Sequence, residues 1–326
     1  MTFLNFNKQN TAPAIAEAEL EADQANALEE IALIGEDDTI QPSLRKALKR
    51  EFTKDQAAQF AAILLILLTM IIFISAIFIK PAAFIDVHIL EQYKAPFTDG
   101  HFLGTDNGGH DILQMVLVAA RNSLTIAFFV TVAILVLGTI GGLVTGYFGG
   151  KFDGIFMRFI DFMTILPVMM IIIVLVTLIP RYNMWSLIII ISALGWFNTV
   201  RLIRARTLVE ANRDYVSASK TSGTGDFKII FREIFPNLSS LIIAESTLMF
   251  AGNVGLETSL SFLGFGLPAG TPSLGTLLNY ATDPETMTDK PWVWVPAAVV
   301  IIVYTILIMI IGQALRRVAD QRQALG

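Results

Sequence analysis

Six separate stretches of this 326-residue chain are long and apolar enough to cross a lipid bilayer, which constrains its fold more than any other feature. A spanning helix needs about 20 mostly apolar residues. Runs of that kind occupy approximately residues 57–79, 116–147, 155–179, 185–203, 238–262 and 293–315. In lipid every backbone N–H and C=O must find its partner within the protein, so only helices and closed barrels cross. These runs are continuously apolar and lack the alternation of barrel strands. The expected fold is all-α: a polytopic membrane protein with six transmembrane helices. A composition that is 54% hydrophobic and 16% charged, with mean hydropathy +0.63, excludes an ordinary soluble domain. The first run lies behind a long polar segment and does not read as a removable signal peptide. The chain has no cysteine, so disulfides, thiolate metal sites and thiol catalysis are excluded.

Net charge is −5, but it is unevenly placed. Residues 1–40 carry nine acids and Lys8 alone among bases, whereas the remainder is mildly basic. With the N-terminus inside, eighteen lysines and arginines fall on the cytoplasmic side and five on the outer side, so both termini are expected in the cytoplasm. Residues 1–56 read as an acidic tail, disordered or a docking helix, followed by a basic amphipathic helix that flanks the first span. Residues 57–79 form the first transmembrane helix, 80–115 an external loop, 116–317 the core, and 318–326 a cytoplasmic tail.

A polar, basic run interrupts the apolar spans at residues 201–236, RLIRARTLVEANRDYVSASKTSGTGDFKIIFREIFP. Its pattern predicts a short helix, a turn at Gly223 and Gly225, and a second helix. That arrangement offers a free-standing helix to a soluble partner at the water boundary. The second span carries Gly138, Gly142, Gly146 and Gly150 every four residues, a small-residue face for close helix approach. The nearby Gly149-Gly150-Lys151 is no phosphate loop, because Phe152 replaces Ser/Thr, and the chain is expected to bind no nucleotide itself.

Ionisable residues inside spans suggest function by default. Asp161 follows Arg158 by three residues, which predicts an ion pair between them. Glu257, with Asn253 and Ser261 on the same span, has two readings: lining a substrate path, or being satisfied by helix ends and serines such as Ser259 and Ser261. For Glu245 the structural reading is preferred. Pro167 is expected to kink the third span. The external loop holds all three histidines, His88, His101 and His110, near Asp99, Asp106 and Asp111. Their spacing matches no ligand motif, so no metal site is expected.

These residues together resemble the C-type permease subunits of ABC importers for dipeptides and oligopeptides, a family that also includes nickel importers. LGTDNGGHDIL resembles the family's LGTD-x-x-G-x-D-x-L signature through Leu103, Gly104, Thr105, Asp106, Gly109, Asp111 and Leu113. FMRFIDFMTILP and GWFNTVRLIRARTL continue the likeness at Arg158, Asp161, Pro167, Gly195, Trp196, Arg201 and Arg204. RDYVSASKTSG resembles the EAA coupling loop, with Tyr215, Val216, Ala218 and Gly223 in place and Ser217 and Ser219 where the family has glutamate and alanine; Pro236 and Asn237 follow. GLETSLSFLGFGLPAGTPSLG resembles a further family segment through Glu257, Leu260, Ser261, Phe262, Leu263, Gly264, Gly266, Thr271, Pro272, Ser273 and Gly275.

The resemblance implies a type I ABC-importer permease fold and a transmembrane subunit that translocates short peptides, with no catalytic residue of its own. It implies a B-type permease partner, two ATP-binding subunits that hold ATP and Mg, an extracellular substrate-binding protein, and no nucleic acid. The coupling loop, residues 204–236, would transmit motion from the ATPases. The alternatives are a nickel or metal-chelate importer, which would favour histidine or carboxylate clusters in the spans, and an ion-coupled secondary transporter, which would require mid-membrane acids and often an internal repeat. The spans contain no histidine, which favours peptides.

Overall fold

A computed structural model describes residues 55–79, 84, 86–180, 182–268 and 270–324, with side chains described as far as residue 319. The expected acidic tail and most of the basic helix, residues 1–54, lie outside the described residues, as do Lys80 and Arg181. Among the described residues the chain is helical, without strands. Two isolated bridges, Thr98 with His101 and Thr105 with Asp111, tie one loop.

Helix α1 is Gln56–Phe78. It begins at Asp55, whose side chain accepts from the N–H of Ala58 and also pairs with Arg317 near the end of the last helix. Helix α2, Ile112–Phe148, starts at the Asp111 cap and runs for 37 residues. At about 1.5 Å per residue it is roughly 55 Å long, well beyond the ~30 Å apolar thickness of a bilayer. Helices α3 (Gly150–Ile165) and α4 (Val168–Leu178) meet at 80°. The break lies at Leu166–Pro167: proline supplies no N–H and forces the residue before it out of helical geometry, and Leu166 is extended (φ −70°, ψ 140°). Helices α5 (Met184–Gly195) and α6 (Phe197–Ala211) meet at 44° around Trp196. Helix α7 is Asp214–Thr221. Helix α8, Asp226–Phe262, contains one wide π segment, Ile230–Ile234. Short helices α9 (Leu274–Asn279) and α10 (Pro284–Asp289) lead into α11, Val295–Ala324. Four helices are long and apolar enough to span a membrane, and six spans result when each bent pair counts as one.

Helix α2 is the hub, and glycine lets α6 lie against it. A Cβ added at Gly138 would sit 2.5 Å from the Thr199 Cβ; at Gly142, 2.6 Å from Ile203 Cβ and 2.8 Å from the Arg204 backbone nitrogen; at Gly146, 2.6 Å from Thr207 Cβ. Without a hydrophobic drive between helices in lipid, this closeness of backbones is the main source of attraction. Hydroxyls along the seam are absorbed locally, as Thr145 Oγ1 donates to the Gly141 carbonyl (2.7 Å) and Thr207 Oγ1 to Ile203 (2.8 Å). Gly150 lies outside this seam, contrary to the four-residue spacing. Helix α2 ends at Phe148, and Gly149 and Gly150 take φ of +59° and +69° to reverse the chain, with nothing near an added Cβ.

The ion pairs at the α7 end of the bundle also differ from the spacing argument. Asp161 pairs with Arg201 of α6 at 2.5 Å, not with Arg158 on its own helix, and Arg204 forms a fork on Asp153 with both contacts at 2.5 Å. Helix α6 lies beside α3 and presents planar guanidinium groups across the interface, which a pair three residues apart on one helix cannot match in geometry. At the opposite end the LGTD loop folds around Asp106. Its carboxylate, 1% exposed, accepts from the N–H groups of Gly108 and His110 (both 2.8 Å) and from the Tyr280 hydroxyl (3.0 Å). His110 Nδ1 lies 3.0 Å from Asp106 and His101 Nδ1 2.8 Å from Asp111. Among the described residues no three His, Cys, Asp or Glu side chains converge as a metal site.

Candidate functional site

Two places in this bundle combine polar chemistry with access, and α8 joins them. The first is the turn from α7 into α8. Helix α7 ends in a Schellman arrangement: the N–H of Thr224 bonds the Ser219 carbonyl and that of Gly223 the Lys220 carbonyl, both at 3.0 Å. The turn requires φ of +77° at Gly223, a conformation glycine adopts without the clash a Cβ brings. Gly225 then precedes α8 in extended geometry.

One face of α7 is bolted to the bundle. Val216 is fully buried. Tyr215 donates to Glu210 (2.8 Å) and accepts from Asn237 (3.0 Å), and Ser219 donates to Glu233 (2.8 Å). Burial, together with the bond to Glu210, pushes the Tyr215 hydroxyl up to about 12, so it stays protonated and donating. Tyr147, at the end of α2, donates to Asp226 (2.7 Å), and the Lys220 ammonium sits 4.6 Å from its ring centre. The opposite face, with Ser217, Ala218 and Thr221, is open. Pro236 lies in the first turn after the π segment and is exposed. The α7 helix is thus a short exposed knob fixed rigidly to the ends of α2, α6 and α8.

The second place is a cavity of about 380 Å³ between α4, α5, α6 and α8, closed at the back by Ile134 of α2. Its polar lining is Glu245, Asn253, Asn198 and Thr199. Glu245, Met249, Asn253 and Leu256 fall at i, i+4, i+8 and i+11, one stripe of α8. Asn253 is held by donating to Thr131 Oγ1 at 2.8 Å. Glu245 is half-buried and has no hydrogen bond or ion pair among the described residues. A carboxylate at the bilayer centre costs about 2.5–3.5 kcal/mol on insertion scales, and a cavity that admits water is where such a group survives.

Glu257 lies elsewhere. It is fully buried, and Ser261 donates to its Oε1 at 2.6 Å. Around it the segment after α8 folds back on α2: Asn122 donates to the Pro272 carbonyl (2.8 Å), and the Leu274 N–H donates to Ser123 (3.1 Å). Gly266 and Gly275 close on Ser261, with added Cβ atoms falling 1.8 and 2.5 Å from its side chain. Glu257 and Ser261 therefore sit in a packed anchor for the loop, while Asn253 borders the cavity. Glu245, for which the sequence favoured a structural role, borders it too. Asn198 and Thr199 were missed; their place one turn after the Gly195–Trp196 bend is the signal that points to them.

A family model described as "Binding-protein-dependent transport system inner membrane component" matches residues 138–324. The oligopeptide transport system permease protein OppC of Lactococcus lactis subsp. lactis strain IL1403 is 64% identical over 282 residues, 86% of this chain and 96% of that protein. OppC of Haemophilus influenzae is 33% identical over 300 residues, covering 91% and 93%. OppC of Bacillus subtilis is 31% identical over 250 residues, covering 77% and 80%.

Proposed function

Because this chain belongs to the family of binding-protein-dependent transport system inner membrane components, we propose the following division of labour within its transporter. The chain is the permease subunit of an ABC importer for oligopeptides, a translocation subunit and not an enzyme. It is a multi-pass membrane component that works with a second permease, ATP-binding subunits and a substrate-binding protein. In finer detail, the second permease is a B-type subunit, and two ATPases hold ATP and Mg. Both termini and α7 face the cytoplasm, and the LGTD loop faces outward, where the binding protein delivers its peptide.

The observation that carries the mechanism is the rigid mounting of α7. Tyr215, Val216 and Ser219 fix it to the bundle, while Ser217, Ala218 and Thr221 stay free for a groove on an ATPase. Closure of the ATPases on ATP moves α7. Its attachment to α6 and to the start of α8 carries the movement into the spans that wall the cavity, and the bundle rocks between outward- and inward-open states. The ATP never touches the permease; it biases a two-state element by binding one state better.

The test is Gly223→Leu in the reconstituted transporter. A leucine cannot hold φ of +77° without strain of about 1–2 kcal/mol, so the knob is displaced while every span stays insertable. Expected is normal membrane insertion with loss of peptide uptake and of the ATP hydrolysis stimulated by loaded binding protein. If both remain at wild-type level, α7 is not the coupling element.

A further inference from the structure

The cavity between α4, α5, α6 and α8 has a lining more particular than passage of varied peptides requires. Glu245 is the ionisable side chain among its lining residues, and no lysine, arginine or histidine stands beside it there. Of the three arginines of the neighbouring α6, Arg201 pairs with Asp161 and Arg204 with Asp153, and Arg206 is exposed and not part of the lining. Asn253 uses one amide N–H on Thr131, which leaves its Oδ1 without a partner, and exposed Asn198 makes no hydrogen bond among the described residues. The polar lining thus offers unpartnered acceptors at Glu245 and at the Asn253 and Asn198 carbonyls, with no basic side chain among the lining residues. The rest of the wall, with Val168, Ile172, Leu248 and Leu256, is aliphatic and indifferent to detail. At about 380 Å³ the cavity falls within the ~300–1,000 Å³ range of small-molecule sites, enough for the leading end of a peptide and not for a long one.

A transporter of many peptides must ignore side chains and still hold its cargo. The terminal ammonium is the cation that every linear peptide with a free amino end shares, whatever its sequence. Building on the peptide-importer reading above, we propose that this cavity is a resting site for the amino end of a peptide in transit, with Glu245 receiving the ammonium and the Asn253 and Asn198 carbonyls completing its acceptors. Charge-assisted hydrogen bonds of this kind are roughly twice as strong as neutral ones, so a single carboxylate recognises the common feature and the aliphatic wall tolerates the variable ones.

The experiment uses the complete transporter in proteoliposomes with its binding protein, and compares uptake of one oligopeptide with a free amino end and the same peptide N-acetylated. The binding protein's own preference cancels when permease variants are compared. Glu245→Gln is expected to lower the free-to-acetylated uptake ratio about fivefold or more, with complex yield retained, and Glu245→Asp to restore most of it. Asn198→Asp, which adds a carboxylate to the same wall without removing Glu245, should raise the ratio about twofold or more and serves where the Gln variant assembles poorly. An equal fall for both peptides, or a ratio that neither variant moves, overturns the assignment of Glu245 and leaves the importer intact. Failure of the wild-type complex to import either peptide overturns the functional reading itself.

Discussion

The seam between α2 and α6 and the open face of α8 are built from the same residue type and behave in opposite ways. Gly138, Gly142 and Gly146 are pressed against α6 so closely that any Cβ would overlap a neighbour, whereas Gly252 and Gly255 on α8 have nothing within 4 Å. The glutamates divide the same way: Glu257 is sealed under the loop after α8, and Glu245 stands free on the cavity. A small or charged residue in an apolar helix therefore has no fixed meaning. It is a packing device where a neighbour fills the space beside it and a point of contact with something else where none does.

That comparison can be broken by substitution, beginning where the effect is largest. Gly142→Leu must displace Ile203 and the backbone of Arg204, and is expected to cost about 3 kcal/mol, reducing the yield of monodisperse detergent-solubilised complex at least severalfold. Glu257→Ala removes the acceptor of Ser261 and opens a void beneath the 272–275 segment. A loss of about 1–3 kcal/mol is expected, read as a lower melting temperature with the purified complex still able to bind its ATPases. Gly138→Ala asks only Thr199 to yield and should cost about 1 kcal/mol, visible as a smaller downward shift in the same melt. Gly255→Leu should leave the melting temperature of this chain within about 0.5 kcal/mol of wild type. If it destabilises the chain as much as Gly142→Leu, the two glycine series are alike and the distinction collapses.

Much of the architecture was legible from the chain alone, because the membrane enforces it. Span length, apolar continuity and the punctuation at Gly223 and Pro167 are local properties, and the helices and the 80° break follow from them. What the sequence could not settle is which way each helix faces. Glu245 and Glu257 lie twelve residues apart on α8, about 120° around its axis. Nothing within α8 says which side meets the cavity and which meets the returning loop; that is decided by α2, α4, α5 and α6. The Asp161 partner failed for the same reason, since Arg201 is forty residues away in the chain and adjacent only after α6 folds against α3. The Gly150 spacing failed more locally, because a four-residue rhythm continues on paper past the residue where the helix stops.

Helix α8 runs unbroken from the turn after α7 to the loop that Glu257 anchors, and this continuity has a mechanical consequence. Glu245 lies nineteen residues beyond Asp226, about 28 Å along the axis, so a rotation about the Asp226 end is magnified at the cavity. A tilt of about 10° about the Asp226 end displaces the Glu245 carboxylate by about 5 Å, roughly the width of a peptide backbone. No bond within the helix has to break for that displacement. If α7 couples as proposed, the rod exchanges a small angle at one end for a stroke of molecular size nineteen residues away.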